Sequence, residues 1–359
     1  MAEAEQILTT EPEAGVAETD VGATSSPPVS TPRRLGEIIT SQLVALRDYH
    51  RAVIETGSVD AVHKMRVTTR RLQASLDLLE REMKVRKLKR RLRSWRRKLS
   101  MVRNYDVFLE LIEKEAALKR KTRRAQLELV KAILQDRRVR KEVKVTQFLR
   151  QININAIGTG LGLIAVSKVA SAGAGSAGDG AVNEAVDVID PTNFVNERNV
   201  AAYAAERLDQ RLAEFQTLAA QSHPTNDPSE LHQLRIAAKR VRYLLETVTQ
   251  MGFGEATRAL FWLRTLQDRI GDWHDLEALE EEIVLIVSSR EFLKQHFAES
   301  SQMLQAAAHL QIKKERLVAK LFPVRVPRLL ELTCGRVARA LRRYSTHHQK
   351  RLPKNRTTR

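Results

Sequence analysis

Cysteine is nearly absent from this 359-residue chain. Cys334 stands alone, which excludes an internal disulfide framework and a cysteine-based metal site. Aromatic residues make up only 5% of the total, too few for the interleaved platforms on which single-strand nucleic-acid binders stack bases. Long apolar runs are missing too. The best stretch, ININAIGTGLGLIAV from residue 152, is short, carries Asn153 and Asn155 and is punctuated by glycines, so a membrane span is not expected. The N-terminus has neither a basic n-region nor an apolar h-region, so no secretory signal is expected and the cytoplasm is the expected compartment. Period-two runs bounded by turns are lacking, which leaves little room for strands.

What is abundant is positive charge. The formal net charge is +18. Residues 1–30 hold six acidic side chains and no basic one, which leaves +24 for residues 31–359 (61 basic against 37 acidic side chains). An excess of that size creates a potential of several kT and points to a polyanionic partner: nucleic acid, an anionic membrane surface or a phosphate polymer. The densest segment is 84–98, with ten Lys or Arg residues and no acid. It forgoes the i,i+4 ion pairs that steady an ordinary charged helix, and uncompensated repulsion suggests that an anion normally sits there.

The helical period of 3.6 runs from residue 34 to about 150 and again from about 193 to 345. The expected organisation is an acidic disordered tail (1–33), a helical half (34–150), an irregular Gly/Ala-rich connection (151–192), a second helical half (193–345) and a basic tail (346–359). Gly57 should end the first helix and Ser58 should cap the second. In the connection, Gly158-Thr159-Gly160-Leu161-Gly162 does not satisfy GxGxxG and is not followed by the lysine of a P-loop, so no nucleotide loop is read there.

One sequence occurs twice. Residues 62–79, VHKMRVTTRRLQASLDLL, correspond to residues 231–248, LHQLRIAAKRVRYLLETV, 169 positions later. His63, Arg66, Arg70 and Arg71 align with His232, Arg235, Lys239 and Arg240. Val62, Met65, Leu72, Leu76 and Leu79 align with Leu231, Leu234, Val241, Leu245 and Val248, and should be core. Positions i, i+3, i+7 and i+10 share a helix face. In the second copy that face is His232, Arg235, Lys239 and Arg242; in the first it is His63, Arg66, Arg70 and Gln73, one cation poorer. Asp227-Pro228-Ser229-Glu230 reads as a capping box with Pro at N1, which puts the histidine near the positive helix end. Arginine forks, a lysine charge and a helix N-terminus together suit phosphate. The histidines could touch the anion or support the structure, and the residue types leave both open. A second repeat follows each motif: 92–111 parallels 263–281 at an offset of 171, with Arg93 matching Arg264. Each should be a helix, a tight break at Ser100 or Gly271, then another helix. Arg103 lies at the first break, where it could reach an anion or cap a helix end.

These paired motifs resemble the two halves of a CHAD domain, the conserved histidine α-helical domain, over roughly residues 34–345. The resemblance implies an all-α fold, a duplicated helical bundle whose halves are related by a pseudo-twofold axis with a basic groove or cavity between them. It also implies binding of inorganic polyphosphate, with targeting to polyphosphate granules; nothing in the sequence resembles the triphosphate-processing CYTH domain to which family members can be fused, so non-catalytic binding without a cofactor is expected. Matched position by position, the binding residues would be His63, Arg66, Arg70, Arg71, Arg93, Arg97, His232, Arg235, Lys239, Arg240, Arg242 and Arg264, to which the position of Arg103 at the expected break adds a thirteenth candidate. Gln73, Asn104 and His274 depart from the usual pattern. The first rival is a helical protein binding RNA or DNA. The second, a metal-dependent phosphohydrolase, starts from His274-Asp275, but cations rather than carboxylates surround His63 and His232 in the sequence.

Overall fold

The computed structural model describes residues 34–117, 121–154, 164–166, 186–188, 196–223 and 228–346. The expected acidic tail, Asp227 of the capping box, most of the Gly/Ala-rich connection and residues 347–359 lie outside them. Among the described residues there are ten helices: α1 (Leu35–Thr56), α2 (Val59–Leu78), α3 (Arg86–Ala117), α4 (Lys121–Arg150), α5 (Glu197–Gln221), α6 (Pro228–Gln250), α7 (Thr257–Val287), α8 (Arg290–Gln295), α9 (Phe297–Leu321) and α10 (Arg328–Thr346). None of them is long and apolar enough to cross a membrane. The fold is all-α with one exception to the expected strandless connection. Ile164–Val166 (β1) and Val186–Val188 (β2) pair antiparallel, Ile164 opposite Val188. These two Ile/Val-bearing triplets suit a pleated surface.

Local signals set the helix ends. Gly57 closes α1 in the left-handed conformation at φ +58°, its N–H donating to the Val53 carbonyl. Ser58 then caps α2 by accepting from the Ala61 N–H, 3.0 Å away. Asn196 does the same for α5 through the N–H groups of Arg198 and Asn199.

The expected breaks at Ser100 and Gly271 do not occur: α3 and α7 run straight through them. Leu99, Val102, Tyr105 and Phe108 carry one buried stripe across the first site, and Leu266, Ile270, Trp273 and Leu276 across the second. A stripe at three- and four-residue spacing holds a helix together by packing even through weak helix formers. The Ser100 hydroxyl donates back to the Arg96 carbonyl at 2.7 Å, so it costs the ladder nothing.

Both long helices therefore serve two apolar clusters. The larger joins α1, α2, α5, α6 and α10, with the C-terminal ends of α4 and α9, to the first halves of α3 and α7. The smaller joins the second halves of α3 and α7 to α4, α8 and α9. All ten apolar positions of the repeated motif are buried, as are Val85, just before α3, and Leu88, Leu92, Trp95 and Leu99 within it. Tyr344 lies in α10, near the end of the second helical half, and meets the Phe253 ring edge-on at 5.2 Å.

One ion-pair node ties three helices together. Asp77 of α2 meets Lys89 of α3 at 2.5 Å and Arg211 of α5 at 3.0 Å. The side chains of Lys89 and Arg211 are only 9% and 8% exposed. Removing the carboxylate leaves Arg211 without its ion pair and Lys89 with Glu80 alone, at 3.5 Å, which is far costlier than losing a surface pair. Asp77→Ala is expected to lower unfolding free energy by about 3–5 kcal/mol, read from urea denaturation.

Candidate functional site

Five helices each turn one stripe toward a common cavity of about 1040 Å³. From α2 come Arg66, Arg70, Gln73 and Asp77; from α3, Lys89, Arg93, Arg96, Ser100 and Asn104. Helix α5 adds Arg207, Gln210, Arg211 and Glu214, and α6 adds His232, Arg235, Ile236, Lys239, Arg240 and Tyr243. His274 and Asp275 of α7 complete the wall. Within each helix the spacing is three or four, one face of a turn repeated. The remaining stripe of the same helix is committed to the core, so the cationic stripe has no freedom to turn away.

Among the described residues, ten Lys or Arg side chains line the cavity against three carboxylates. Two of the three are already engaged: Asp77 with Lys89 and Arg211, and Glu214 with Arg240 at 2.7 Å. Asp275 has no ion pair among the described residues. Burial raises its pKa, against the pull of Arg235, Arg103 and Lys239.

The central cations are crowded and partly desolvated. Burial, then Arg70 and Arg103, bring the Arg66 pKa down to about 9. Burial, then Arg235 and Arg70, lower Lys239 to about 6, so at neutral pH most of its amine is uncharged. Arg235 and Arg96 are lowered as well, burial first in both. His274, buried beside Arg235, His232 and Lys239, falls to about 4. Arg66 Nη1 and Arg235 Nε are buried with no hydrogen-bond partner among the described residues. Each orphaned donor of this kind costs about 1–3 kcal/mol. A phosphoryl oxygen placed there would satisfy such donors and restore the lowered pKa values together.

The structure brings together seven of the thirteen residues named from sequence: Arg66, Arg70, Arg93, His232, Arg235, Lys239 and Arg240. His63 and Arg103 sit just beside it. His63 is exposed, and partial burial followed by Arg103, Arg66 and Arg70 lowers its pKa. Arg103 lies within a continuous helix, so a capping role for it is overturned. The other four stand outside the lining. Arg71 and Arg97 are exposed. Arg242 lies over the Tyr243 ring at 4.6 Å and approaches Glu246 at 3.6 Å, and Arg264 turns to the same Glu246 at 3.3 Å. The i+10 position of α6 is thus displaced from the cationic face by a local carboxylate.

Several lining residues escaped the sequence reading. Lys89 and Arg96 lie four before and three after Arg93, and helical spacing alone could have found them. Arg96 also supplies what the first motif lacked: its Nη1 donates to Gln73 Oε1 at 3.0 Å, so Gln73 positions a cation from the next helix. Arg207 and Arg211 belong to no repeated motif; only packing brings α5 to the wall. Gly271 faces Arg235, and a Cβ there would come within 3.9 Å of its Nη2. The rings of His232 and His274 lie 5.9 Å apart. Among the described residues, no three His, Cys, Asp or Glu side chains gather as a metal would require.

The family model of the CHAD domain matches residues 37–284. Two solved structures are similar in fold. The crystal structure of the CHAD domain from the plant Ricinus communis is 20% identical, with a TM-score of 0.56 over 82% of this chain and 92% of that one. PptA from Streptomyces chartreusis is 15% identical, with a TM-score of 0.50 over 85% of this chain and 97% of that one. No curated protein matches in sequence. A family model covering more than half of the chain, joined to the helical fold it describes, shows that this protein belongs to the CHAD domain family.

Proposed function

We propose that this protein binds inorganic polyphosphate in the five-helix cavity and does not transform it. The observation that carries the reading is the convergence of Arg66, Arg70, Arg235 and Lys239 on one space, with buried guanidinium nitrogens lacking an acceptor. In this reading α2 and α6 are the two copies of one duplicated helix, α3 and α7 the copies of the next, and the cavity is the basic groove between pseudo-twofold halves. Its volume is at or above the top of the roughly 300–1,000 Å³ usual for small-molecule sites, which suits a segment of chain rather than one small anion.

Nucleic acid satisfies the same charges less well. Among the described lining residues Tyr243 is the only Phe, Tyr or Trp, whereas base recognition relies on several stacking surfaces. Titration with polyphosphate against RNA and DNA at equal phosphate concentration tests this directly: polyphosphate should displace the nucleic acids, and they should not displace it. Because the contacts are ionic, affinity is expected to fall at least about 100-fold between about 50 and 200 mM salt. A nearly flat salt dependence refutes an ionic site. Release of orthophosphate on adding a divalent cation would refute the non-catalytic part. Co-localisation of a labelled chain with polyphosphate granules checks the cellular side of the reading.

A further inference from the structure

The offset of 171 between the second pair of repeats sets His274-Asp275 of α7 against Arg103-Asn104 of α3. Where the first half has a cation and an amide, the second has an imidazole and a carboxylate. The imidazole is neutral near neutral pH, its pKa lowered to about 4 by burial and then by Arg235, His232 and Lys239. Among the described residues, these two side chains are all that α7 gives to the lining. One wall of a strongly cationic cavity therefore accepts hydrogen bonds rather than attracting charge.

Asp275 is partly buried and has no ion pair among the described residues. The other two carboxylates are committed, Asp77 to Lys89 and Arg211, and Glu214 to Arg240. Toward an internal phosphate of a chain, which carries a charge and no O–H, such a group only repels. A terminal phosphate differs. Its second ionisation falls at about pH 6, so about half of such groups keep one O–H there. An ionised carboxylate accepts and never donates, and the bond it makes to an O–H is charge-assisted, the stronger class. The orphaned nitrogens of Arg66 and Arg235 do the reverse and donate to unprotonated oxygens. Burial raises the Asp275 pKa against the pull of Arg235, which makes the carboxylate a better acceptor.

We infer that Asp275 recognises the end of a polyphosphate chain, accepting the O–H of a terminal phosphate whose other oxygens meet Arg66 and Arg235. The inference rests on the proposed polyphosphate reading and narrows its substrate class. Linear chains, which have a terminal phosphate, are preferred to cyclic metaphosphates, which have none. The cations supply the affinity and the carboxylate supplies the choice.

Titration calorimetry on the full-length chain at about pH 6, with tripolyphosphate and cyclic trimetaphosphate, tests this. The native chain should prefer the linear ligand. In D275N the ratio of linear to cyclic affinity should fall about tenfold, the scale of one hydrogen bond to a charged group. The amide cannot choose, because its N–H donates to a bare oxygen as readily as its carbonyl accepts from an O–H. Orthophosphate against sulfate repeats the comparison without a chain: phosphate keeps an O–H at this pH and sulfate has none. The preference for phosphate should fall likewise. D275S, whose hydroxyl also donates and accepts, should reproduce both changes, with Tm measured for each variant. If Asp275 only orients Arg235, all four ligands weaken together and both ratios stay native. That outcome, or no change at all, overturns the inference. The variant R66Q/K239M separates the two readings. It should weaken linear and cyclic ligands alike; if it weakens neither, the cavity reading fails, whatever D275N does.

Discussion

Polyphosphate affinity is expected to rise up to about 50-fold as pH falls from about 8 to 6, and Lys239→Met should abolish most of that rise. The sign follows from the free and bound states of one amine. In the free protein its pKa is lowered from 10.5 to about 6 by burial and by Arg235, Arg70, Arg242 and Arg66. Asp275 and His274 of α7 also face it. A bound polyanion moves that pKa back up, because it favours the charged form. Between the two values binding takes up a proton, and affinity gains up to about tenfold per pH unit of acidification. Below pH 6 the free amine is already charged and the slope levels off. His274, at about 4, is neutral across this window in the free protein. His63, whose pKa is also lowered, contributes a weaker slope from outside the lining. Terminal phosphates of the ligand titrate near pH 6 as well, but identically for both proteins, so the difference between native and variant isolates the lysine. A native-like pH slope in Lys239→Met would assign the proton elsewhere, and His63→Ala and His232→Ala would then be the decisive variants.

The same substitution is expected to stabilise the protein without ligand. A lysine held below its unfolded value works against folding. The unfolded chain binds one more proton between about pH 6 and 10, so stability from this group rises with pH through that window and is lowest at its acid end. Each unit is worth about 1.4 kcal/mol. At pH 7.5 the full shift would correspond to about 4 kcal/mol, and relaxation around the amine brings the expected gain for Lys239→Met to about 2 kcal/mol. Urea unfolding at pH 7.5 measures it. With saturating polyphosphate the order should narrow or reverse, since ligand binding stabilises whichever form binds more tightly. A ligand-free variant less stable than the native chain would mean that the amine earns its place by packing rather than for anion binding.

Both predictions concern groups whose chemistry the sequence could name but not place. Imidazole ordinarily titrates near neutrality, so by residue type His63 and His232 would be the first candidates for a pH response. Crowding reassigns that part to Lys239, an amine whose ordinary pKa lies far outside the range. No linear pattern reports such a shift, because its largest cause is burial beneath neighbouring helices; Arg235, four residues earlier on α6, adds to it, and Arg70 and Arg66 add to it from α2. Gln73 shows the converse. As a sequence position it is a missing cation; in the fold it holds Arg96, which restores the charge. The expected breaks at Ser100 and Gly271 failed for a related reason: weak helix formers were weighed locally, while the buried stripes on either side decided the outcome.

The repeat at 169 residues, the alternation of apolar and cationic stripes and the caps at Gly57 and Ser58 were determined by the order of amino acids alone. Periodicity is a property of one helix, and it needs no neighbour to be read. Which stripes face one another was decided only by the packing of α2, α3, α5, α6 and α7. Arg207 and Arg211 reach the cavity through that packing, while Arg242 and Arg264 are drawn from it by Glu246. The physical reason is range. A helix face is set by neighbours three and four residues away, whereas the field that lowers Lys239 is summed over every charge the tertiary structure brings close.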